Sequence, residues 1–553
     1  MRRTRFYTVI LAVIAVASFS AAASWPRVGD SLTTAAGDPD SGNLNVTESP
    51  DRPRLGGRIA YAIADEQNGW NPAMNEWSTS GIQVARTIFD TLTAFDENSQ
   101  VHPFLLESYT PNSDYTSWTL RLRPGVMLSN GKPVTAETIV RNQETFRDSP
   151  VTGSAYYRVQ SFQAVDPLTV LVKLTSPWSS YPLMLTSQVG VVADPDWLAS
   201  YDGLNPIGTG PFTLKNWNID QGLTVVRNPG YWRVDPYGQR FPYLDSIDFK
   251  VVPDTFERGQ GLEAGSLDVI ESSDPSQLQS FQEGNGRFQV IADPKANAGK
   301  YLAMLNTMAP PFDDLNARLA LAYATDQQAF IRDTGAGDVE AVDSPISPGS
   351  KWYVNTGYPR YDPDRARALV AQVKQKNKGQ FSFTIRGWQD EISRVQLRTL
   401  EAQWEAVGID VNVEIAENDK MMIWAVTGEY QATLWYQFDA PDPAIDSTWF
   451  NPSLAKKPPN WSLNFSRVTD QQIATGISDL MSTTDDRQQK TAWGIIQLRL
   501  GALCPYIWLY QVKSGVIART QVVNLTKWTL PDGAPGLDLG GGAHPLHQVW
   551  LRL

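Results

Sequence analysis

The chain has 553 residues, of which 42% are hydrophobic and 19% are charged, and its formal net charge is −12. This length is too great for one hydrophobic core and predicts two or more domains. The acidic balance disfavours nucleic acid and anionic lipid as partners. A single cysteine, Cys504, leaves no partner for an intrachain disulfide.

The N-terminus has the order of an export signal. Arg2, Arg3 and Arg5 precede the apolar run FYTVILAVIAVASF, and the small residues SAAAS follow it. This order predicts a signal peptide over residues 1–23, with cleavage after Ala23. Because the run is near the length of a membrane span, an uncleaved N-terminal anchor stays open. No cysteine follows the run, so a lipoprotein is not expected.

Strands and helices alternate along the rest of the chain. Residues 24–54 are rich in Ser, Thr, Gly, Asp and Pro, which predicts a disordered tether. GRIAYAIA then predicts a strand over 57–64, and SGIQVARTIFDTL a helix over 80–92. Later segments continue the alternation: strands WTLRLRPG (118–125), LTVLVKL (168–174) and IDVNVEI (409–415), and helices opening at Thr135 and at Asp362–Pro363. Such a mixture predicts α/β lobes of a few hundred residues each.

Motifs of common enzyme classes are absent from the sequence. It contains no G-x-x-x-x-G-K-[ST] loop, no G-x-S-x-G elbow and no H-E-x-x-H pair. His544 and His547 have H-x-x-H spacing beside a glycine run, but His102 is remote and no third ligand is evident. The sequence therefore predicts neither an enzyme, nor a metal site, nor a cofactor.

The stretch YQFDAPDPAID (436–446) carries a candidate binding group. It follows the apolar strand-like run ATLW, and its two prolines stop the strand and stiffen the exit. A stiff exit fixes where Asp439 points. The residues alone leave two interpretations open, a rigid surface turn or a carboxylate directed at a cationic group.

Eight stretches along the chain occur in a characteristic order. They are LLESYTPNSDYTSWTLRLRPGVMLSNGKPVTAETI (105–139), NPIGTGPFTLKNW (205–217), VVRNPGYWR (225–233), PYLDSIDFKVVPD (242–254), LEAGSLDVIE (262–271), PPFDDLNARLALAYATDQQAFI (310–331), YDPDRARALV (361–370) and DAPDP (439–443). Their succession closely resembles the family 5 extracellular solute-binding proteins, the oligopeptide- and dipeptide-binding subunits of ABC importers. The resemblance covers the chain from about residue 55 to the C-terminus.

The resemblance implies an α/β, type II periplasmic-binding-protein fold of two lobes, with an extra subdomain in the first. Mapped onto this chain, the first lobe spans 55–300, the second lobe spans 301–515, and residues 516–553 return to the first lobe. The two crossings between lobes are expected near residues 302–306 and near residues 511–515.

The resemblance also implies a binding site. In peptide-binding members, an Asp in a W-x-x-D-x-x-D-P-like stretch meets the free α-ammonium of the peptide, and Asp439 occupies that place. Tyr436 stands where the family usually has Trp, while Trp435 lies one residue earlier. Asp442 is the competing carboxylate, although an acid between two prolines is more typical of a residue that shapes the turn.

Further site residues follow from the same comparison. Arg386 ends the strand FSFTIR, about where dipeptide-binding relatives carry an Arg for the ligand's carboxylate; a solvated strand-end Arg is the alternative. An aromatic wall is expected from Trp70, Trp388, Trp435, Tyr436 and Trp449, with core packing as the alternative for each. The glycines and proline of GTGPF (208–212) predict a tight backbone turn rather than a binding site.

The function implied is that of an exported, monomeric receptor that binds small peptides and presents them to a membrane permease. It would act in the periplasmic space, the cell envelope or outside the cell. Two alternatives stay open: the same scaffold with an oligosaccharide, a nickel complex, haem or another solute, and a regulator of cell-envelope assembly with no role in transport.

Overall fold

The structure is a computed structural model that describes residues 52–552, apart from 76, 220, 285, 293–298, 338, 390, 438–441, 443, 513 and 541–542. The predicted signal peptide and most of the predicted tether lie outside the described residues. Across the described ranges, each helix is too short or too polar to cross a lipid bilayer.

Residues 58–292 form strands and helices in mixed order. The strands are β1 (Arg58–Ile63), β2 (Thr93–Phe95), β3 (Val101–Pro103), β4 (Leu106–Pro111), β5 (Ser117–Leu122), β6 (Val159–Asp166), β7 (Thr169–Leu174), β8 (Phe212–Asn218), β9 (Gly222–Arg227), β10 (Ser246–Val251), β11 (Val269–Ser272) and β12 (Phe288–Ala292). The helices are α1 (Thr79–Ile88), α2 (Ala136–Asp148), α3 (Tyr181–Met184), α4 (Pro195–Ser200), α5 (Thr255–Ala264) and α6 (Pro275–Gln282).

The remaining elements follow from residue 300 onward. The strands are β13 (Lys300–Leu305), β14 (Ser382–Trp388), β15 (Asp410–Ala416), β16 (Ala432–Gln437), β17 (Tyr506–Gln511), β18 (Gly515–Arg519), β19 (Val522–Val523) and β20 (Trp550–Leu551). The helices are α7 (Leu315–Ala324), α8 (Gln327–Thr334), α9 (Pro363–Lys376), α10 (Glu391–Glu405), α11 (Asn418–Thr427), α12 (Ser447–Phe450), α13 (Gln471–Leu480) and α14 (Asp486–Leu503).

Local sequence signals account for most of these bounds. Thr135 caps α2 by accepting a hydrogen bond from the Thr138 N–H, as its position predicts. Asp362 caps α9 in the same way, with proline at the first helical position. The helix predicted over 80–92 instead ends at Ile88, because the Ile88 carbonyl accepts a hydrogen bond from the Gly210 N–H at 2.9 Å and Phe89 is extended.

The described strands form three main sheets. One has the order β12-β18-β11-β1-β10-β9-β8, with β1 parallel to β10 and β11, and with β18 antiparallel to β11 and β12. An antiparallel sheet has the order β4-β5-β7-β6, and a third has the order β15-β14-β16-β13-β17. We call the part built on the first two sheets the first lobe and the part built on the third the second lobe.

The chain crosses between the lobes twice. It leaves β12 after Ala292 and enters β13 at Lys300, and it leaves β17 after Gln511 and enters β18 at Gly515. The first crossing thus precedes the predicted position near 302–306, because the apolar residues there are buried in β13, an inner strand of the second-lobe sheet. The lobe limits given above stay a prediction at the level of single residues.

A buried carboxyl group lies in the first-lobe sheet. Glu271 on β11 is 4% exposed and accepts short hydrogen bonds from the Ser80 hydroxyl and the Ala64 N–H. Its Oε2 atom finds no partner among the described residues. Burial raises the pKa of this carboxyl to about 7, although the two hydrogen bonds lower the pKa in part.

We predict that Glu271 makes the folded protein less stable at higher pH. Its pKa is raised in the folded state, so its contribution to stability is present below about pH 4.5 and is lost as the pH rises toward about 7. A raised pKa of this size corresponds to roughly 3 kcal/mol. Glu271→Gln should therefore flatten the fall in melting temperature between pH 5 and pH 8, as measured by calorimetry.

The matched control is Glu263→Gln on α5, where the acid is exposed. This variant should melt as the wild type does at both pH values. Equal pH dependence in Glu271→Gln and the wild type would contradict the assignment.

Candidate functional site

A cavity of about 320 Å³ lies between the two lobes. The first lobe lines it with residues between 151 and 157 and between 178 and 189. The second lobe lines it with residues between 444 and 449, with Leu463 and with Met481. A concave site of this size between lobes is where a small ligand is expected to bind.

Hydrogen bonds from side-chain hydroxyls to backbone carbonyls hold the first-lobe wall in place. The Ser149 hydroxyl donates to the Ala73 carbonyl at 2.5 Å, and the Thr152 hydroxyl donates to the Phe146 carbonyl at 2.7 Å. These bonds fix the short helix Gly153–Tyr156 against the end of α2. Beside it, the rings of Tyr157 and Trp178 lie 5.8 Å apart, and α3 contributes the apolar side chains that complete the wall.

The second-lobe wall follows β16. The Asp442 carboxylate accepts a hydrogen bond from the Ala444 N–H at 2.9 Å, so this acid shapes the turn. Burial raises the pKa of the Asp442 carboxyl, and the Ala444 N–H lowers it in part. The Ser447 hydroxyl donates to the Ala444 carbonyl at 2.8 Å and leads into α12. The ring of Trp449 then packs edge-on against Phe465 at 4.8 Å and faces the cavity.

Asp439, the predicted carboxylate, lies outside the described residues, and its role stays a prediction. The described residues nearest to it in the chain are Gln437 and Asp442. Gln437 ends β16, is 6% exposed, and lines a small cavity that Trp449 also lines. Gln437 and Asp442 thus lie in the second-lobe wall or beside it.

Three of the predicted aromatic residues form one connected group. The Trp388 and Trp435 rings lie 6.0 Å apart, and Trp435 lies 5.5 Å from Phe465, which in turn contacts Trp449. Of this group, only Trp449 lines the larger cavity, whereas Trp388 and Trp435 are buried behind it. The group therefore supports the wall from inside the second lobe.

Tyr436 lies in a second aromatic group. Its ring is 5.3 Å from Tyr301, and Tyr301 is 5.1 Å from Tyr510. Gly299 allows this packing, since a Cβ at Gly299 would lie 1.7 Å from the Tyr436 hydroxyl oxygen. Tyr436 alternates with Trp435 along β16, so the two side chains leave the strand on opposite faces.

Arg386 and Trp70 lie away from the larger cavity. The Arg386 guanidinium donates to Glu414 at 2.7 Å and to the Glu429 carbonyl, and it lies over the Trp424 ring at 3.8 Å. These contacts favour a structural role for Arg386. Trp70 is 1% exposed and packs on Trp217 in the first lobe. A ligand role for either residue stays a prediction.

The GTGPF segment packs closely against the end of α1. A Cβ at Gly210 would lie 2.3 Å from the Ile88 carbonyl carbon, and one at Gly208 would lie 2.2 Å from the Ile88 carbonyl oxygen. Close approach of two backbones, rather than a left-handed turn, is therefore what requires glycine here.

The histidines are parts of the first lobe. His547 Nε2 lies 2.7 Å from the Arg233 guanidinium, and burial lowers the pKa of the His547 imidazole well below its usual value. Burial also lowers the pKa of His544 to about 3. His102 contacts Asp532 at 2.7 Å. Within the described ranges, no group of three or more His, Cys, Asp or Glu side chains is arranged to hold a metal ion.

Most of the cavity wall was missed from the sequence. Tyr157, Trp178, Leu183, Met184 and Met481 all line the cavity, and none was predicted to. The only available signal was the aromatic, proline-bounded run PWSSYP (177–182), which follows a strand in the manner of a loop that carries function.

A polar contact joins the lobes at the edge of the cavity. The Ser179 N–H donates to the Met481 carbonyl at 2.7 Å, and the Ser179 hydroxyl donates to the Thr483 carbonyl at 2.7 Å. The Tyr115 hydroxyl lies 3.1 Å from that of Thr484. These contacts hold the extra sheet of the first lobe against the end of α13 and stabilise the closed arrangement.

We predict that Ser179→Ala shifts the lobes toward an open arrangement. Loss of one hydrogen bond of about 1 kcal/mol should lower the ratio of closed to open molecules roughly fivefold. Hydrogen–deuterium exchange of residues 480–484 should rise accordingly. Ser482→Ala is the matched control, because its hydroxyl donates to the Ser478 carbonyl of the same segment. Equal exchange in both variants would contradict the prediction.

Two α/β lobes, joined by two crossings and with a cavity between them, define a bacterial solute-binding protein with the type II periplasmic-binding fold. A sequence profile described as "Bacterial extracellular solute-binding proteins, family 5 Middle" matches residues 100–457. The chain belongs to this family, which consists of binding proteins, and the predicted fold and family are confirmed.

The individual proteins to which the chain is similar share about a quarter of its sequence or less. The chain is similar to the glutathione-binding protein GsiB of Pectobacterium atrosepticum, with 26% identity over 441 residues, covering 77% of this chain and 83% of that protein. Its fold is similar to that of AgaA from A. tumefaciens R10 in complex with agropinic acid, with a TM-score of 0.77, 20% identity and coverage of 90% and 99%. It is also similar to AppA from Bacillus subtilis in complex with a nonapeptide, with a TM-score of 0.75, 20% identity and coverage of 91% and 100%.

Proposed function

We propose that this protein is the exported receptor of an ABC importer, that it binds small peptides between its lobes, and that it presents them to a membrane permease. The observation that carries the proposal is the inter-lobe cavity in a family 5 solute-binding protein. The names of its relatives support peptides as the ligand class, because they include a glutathione-binding protein and structures with bound peptides.

The predicted export signal fits this function. An acidic, exported protein with a closing cleft can collect a solute outside the membrane, and closure can then be read by a permease. The N-terminal segment is either cleaved or kept as an anchor. The protein acts by binding and has no catalytic role.

Within this proposal, Asp439 receives the α-ammonium of the peptide. An ammonium ion and a carboxylate are both charged at neutral pH, and their attraction strengthens where the closed lobes exclude water. Removing one side of such a buried pair costs about 2–5 kcal/mol. The position of Asp442 and Ala444 supports the assignment, because Ala444 donates its N–H to Asp442 and lines the cavity five residues after Asp439 in the sequence.

We predict that Asp439→Asn weakens binding of a free tripeptide at least about tenfold and leaves the melting temperature of the ligand-free protein unchanged. The N-acetylated form of the same tripeptide lacks the ammonium group. Wild type should therefore prefer the free peptide, and Asp439→Asn should bind both forms equally, as measured by calorimetry.

Asp479→Asn on α13 is the control, since this acid is exposed in the same lobe. It should keep the preference of the wild type. Equal affinity of the wild type for the free and acetylated peptides would exclude the ammonium role. Native mass spectrometry of the protein as purified would show whether a peptide or another solute is already bound.

A second ligand class is favoured by one observation. The structural neighbour AgaA is in complex with agropinic acid rather than with a peptide. If mass spectrometry detects a co-purifying compound that is not a peptide, the receptor function stands and the peptide assignment fails.

A further inference from the structure

The inter-lobe cavity is uncharged throughout its described lining. None of the described residues that line it is Asp, Glu, Lys, Arg or His. A charged group of a ligand would find no opposite charge among these described residues, and burying an unpaired charge is costly. The part of the ligand that packs against these described residues is therefore expected to be uncharged.

Several polar side chains of the described lining already have partners within the protein. The Gln188 amide donates to the carbonyls of Pro72 and Asn75, both at 2.7 Å. Three hydroxyl groups donate to backbone carbonyls at 2.7 to 2.8 Å, namely those of Thr152, Ser187 and Ser447. Because these donors are occupied, the cavity offers a ligand mainly apolar surface.

Apolar side chains from both lobes face each other across the cavity. The first lobe contributes Trp178, Leu183 and Met184, which are all buried, and the second lobe contributes Ile445, Trp449 and Met481. Methionine is unbranched and adapts its shape to its neighbours. With one methionine on each wall, the cavity can adjust to apolar groups of different outline.

The volume of the cavity limits the size of the ligand group that it can hold. A cavity of about 150 Å³ lined by apolar side chains holds a benzene molecule. The present cavity, at about 320 Å³, has about twice that volume. It accommodates an aromatic or a large aliphatic side chain with adjoining backbone.

We infer that this cavity is a side-chain pocket that takes an uncharged aromatic or large aliphatic side chain of the ligand. The inference rests on the proposed peptide-receptor function and names the ligands that this receptor selects. Under this inference the pocket binds a side chain of the peptide, and the charged ends of the peptide bind outside the pocket. Glutathione, with two carboxylates and no large apolar side chain, is a poor ligand for such a pocket.

The test compares three tripeptides with free termini: Ala-Phe-Ala, Ala-Ala-Ala and Ala-Asp-Ala. Burial of the phenyl ring should make Ala-Phe-Ala bind about 10- to 100-fold more tightly than Ala-Ala-Ala. Ala-Asp-Ala should bind no more tightly than Ala-Ala-Ala. Equal affinity for all three peptides would overturn the inference and leave the receptor function intact.

Two variants test whether the preference for Ala-Phe-Ala arises in this pocket. Ala155→Trp fills the pocket from the first lobe and Thr448→Trp fills it from the second, and both positions are half-buried in the lining. Each variant should lose the preference for Ala-Phe-Ala over Ala-Ala-Ala. Ala368→Trp, on the exposed face of α9, is the control and should behave as the wild type does. A preference that survives in both filled variants would overturn the assignment.

A neutral probe separates this inference from the proposed function. If none of the peptides binds, the peptide function fails, and fluorobenzene binding followed by fluorine NMR decides the nature of the pocket. Binding to the wild type that is lost in both filled variants supports an apolar pocket. Absence of binding to the wild type, or binding that both filled variants retain, overturns it.

Discussion

The pairing of β18 between β11 and β12 is the constraint on which the two-lobed arrangement depends. Residues 515–519 come after the whole second lobe in the chain, yet they form an inner strand of the first-lobe sheet. Since β13 and β17 are also neighbours in the second-lobe sheet, the two crossings connect neighbouring strands at both ends. Two adjacent connections of a few residues favour bending of one lobe toward the other, the motion that opens and closes a cleft.

The cavity is a product of this arrangement. Its walls come from different lobes, and hydrogen bonds from Ser179 to the end of α13 hold the walls together at one edge. Opening the lobes would expose apolar side chains such as Leu183 and Met184 to water. An apolar group bound between the walls restores that burial, so ligand binding and closure stabilise each other.

Local patterns predicted the elements better than they predicted the site. Strands such as β15 show strict alternation, and helices such as α9 carry their own caps, so neighbouring residues suffice to locate them. The end of α1 depends on Gly210, which is more than a hundred residues away in the chain, and the predicted helix therefore extended too far. The cavity wall depends on several such contacts between residues far apart in the chain, and Trp449 is therefore the only described lining residue that was predicted from the sequence. The resemblance to a family supplied the two-lobed fold, which no local pattern contains.

The position of β18 also bears on how the chain reaches its folded state. The first-lobe sheet lacks an inner strand until residues 515–519 have been synthesised. This lobe therefore cannot complete its sheet before the C-terminal part of the chain is available. Contacts between residues so far apart form slowly, because a long loop must close before they contribute. The second-lobe sheet needs no residue beyond Gln511, so the C-terminal segment sets the order in which the two lobes reach their final packing.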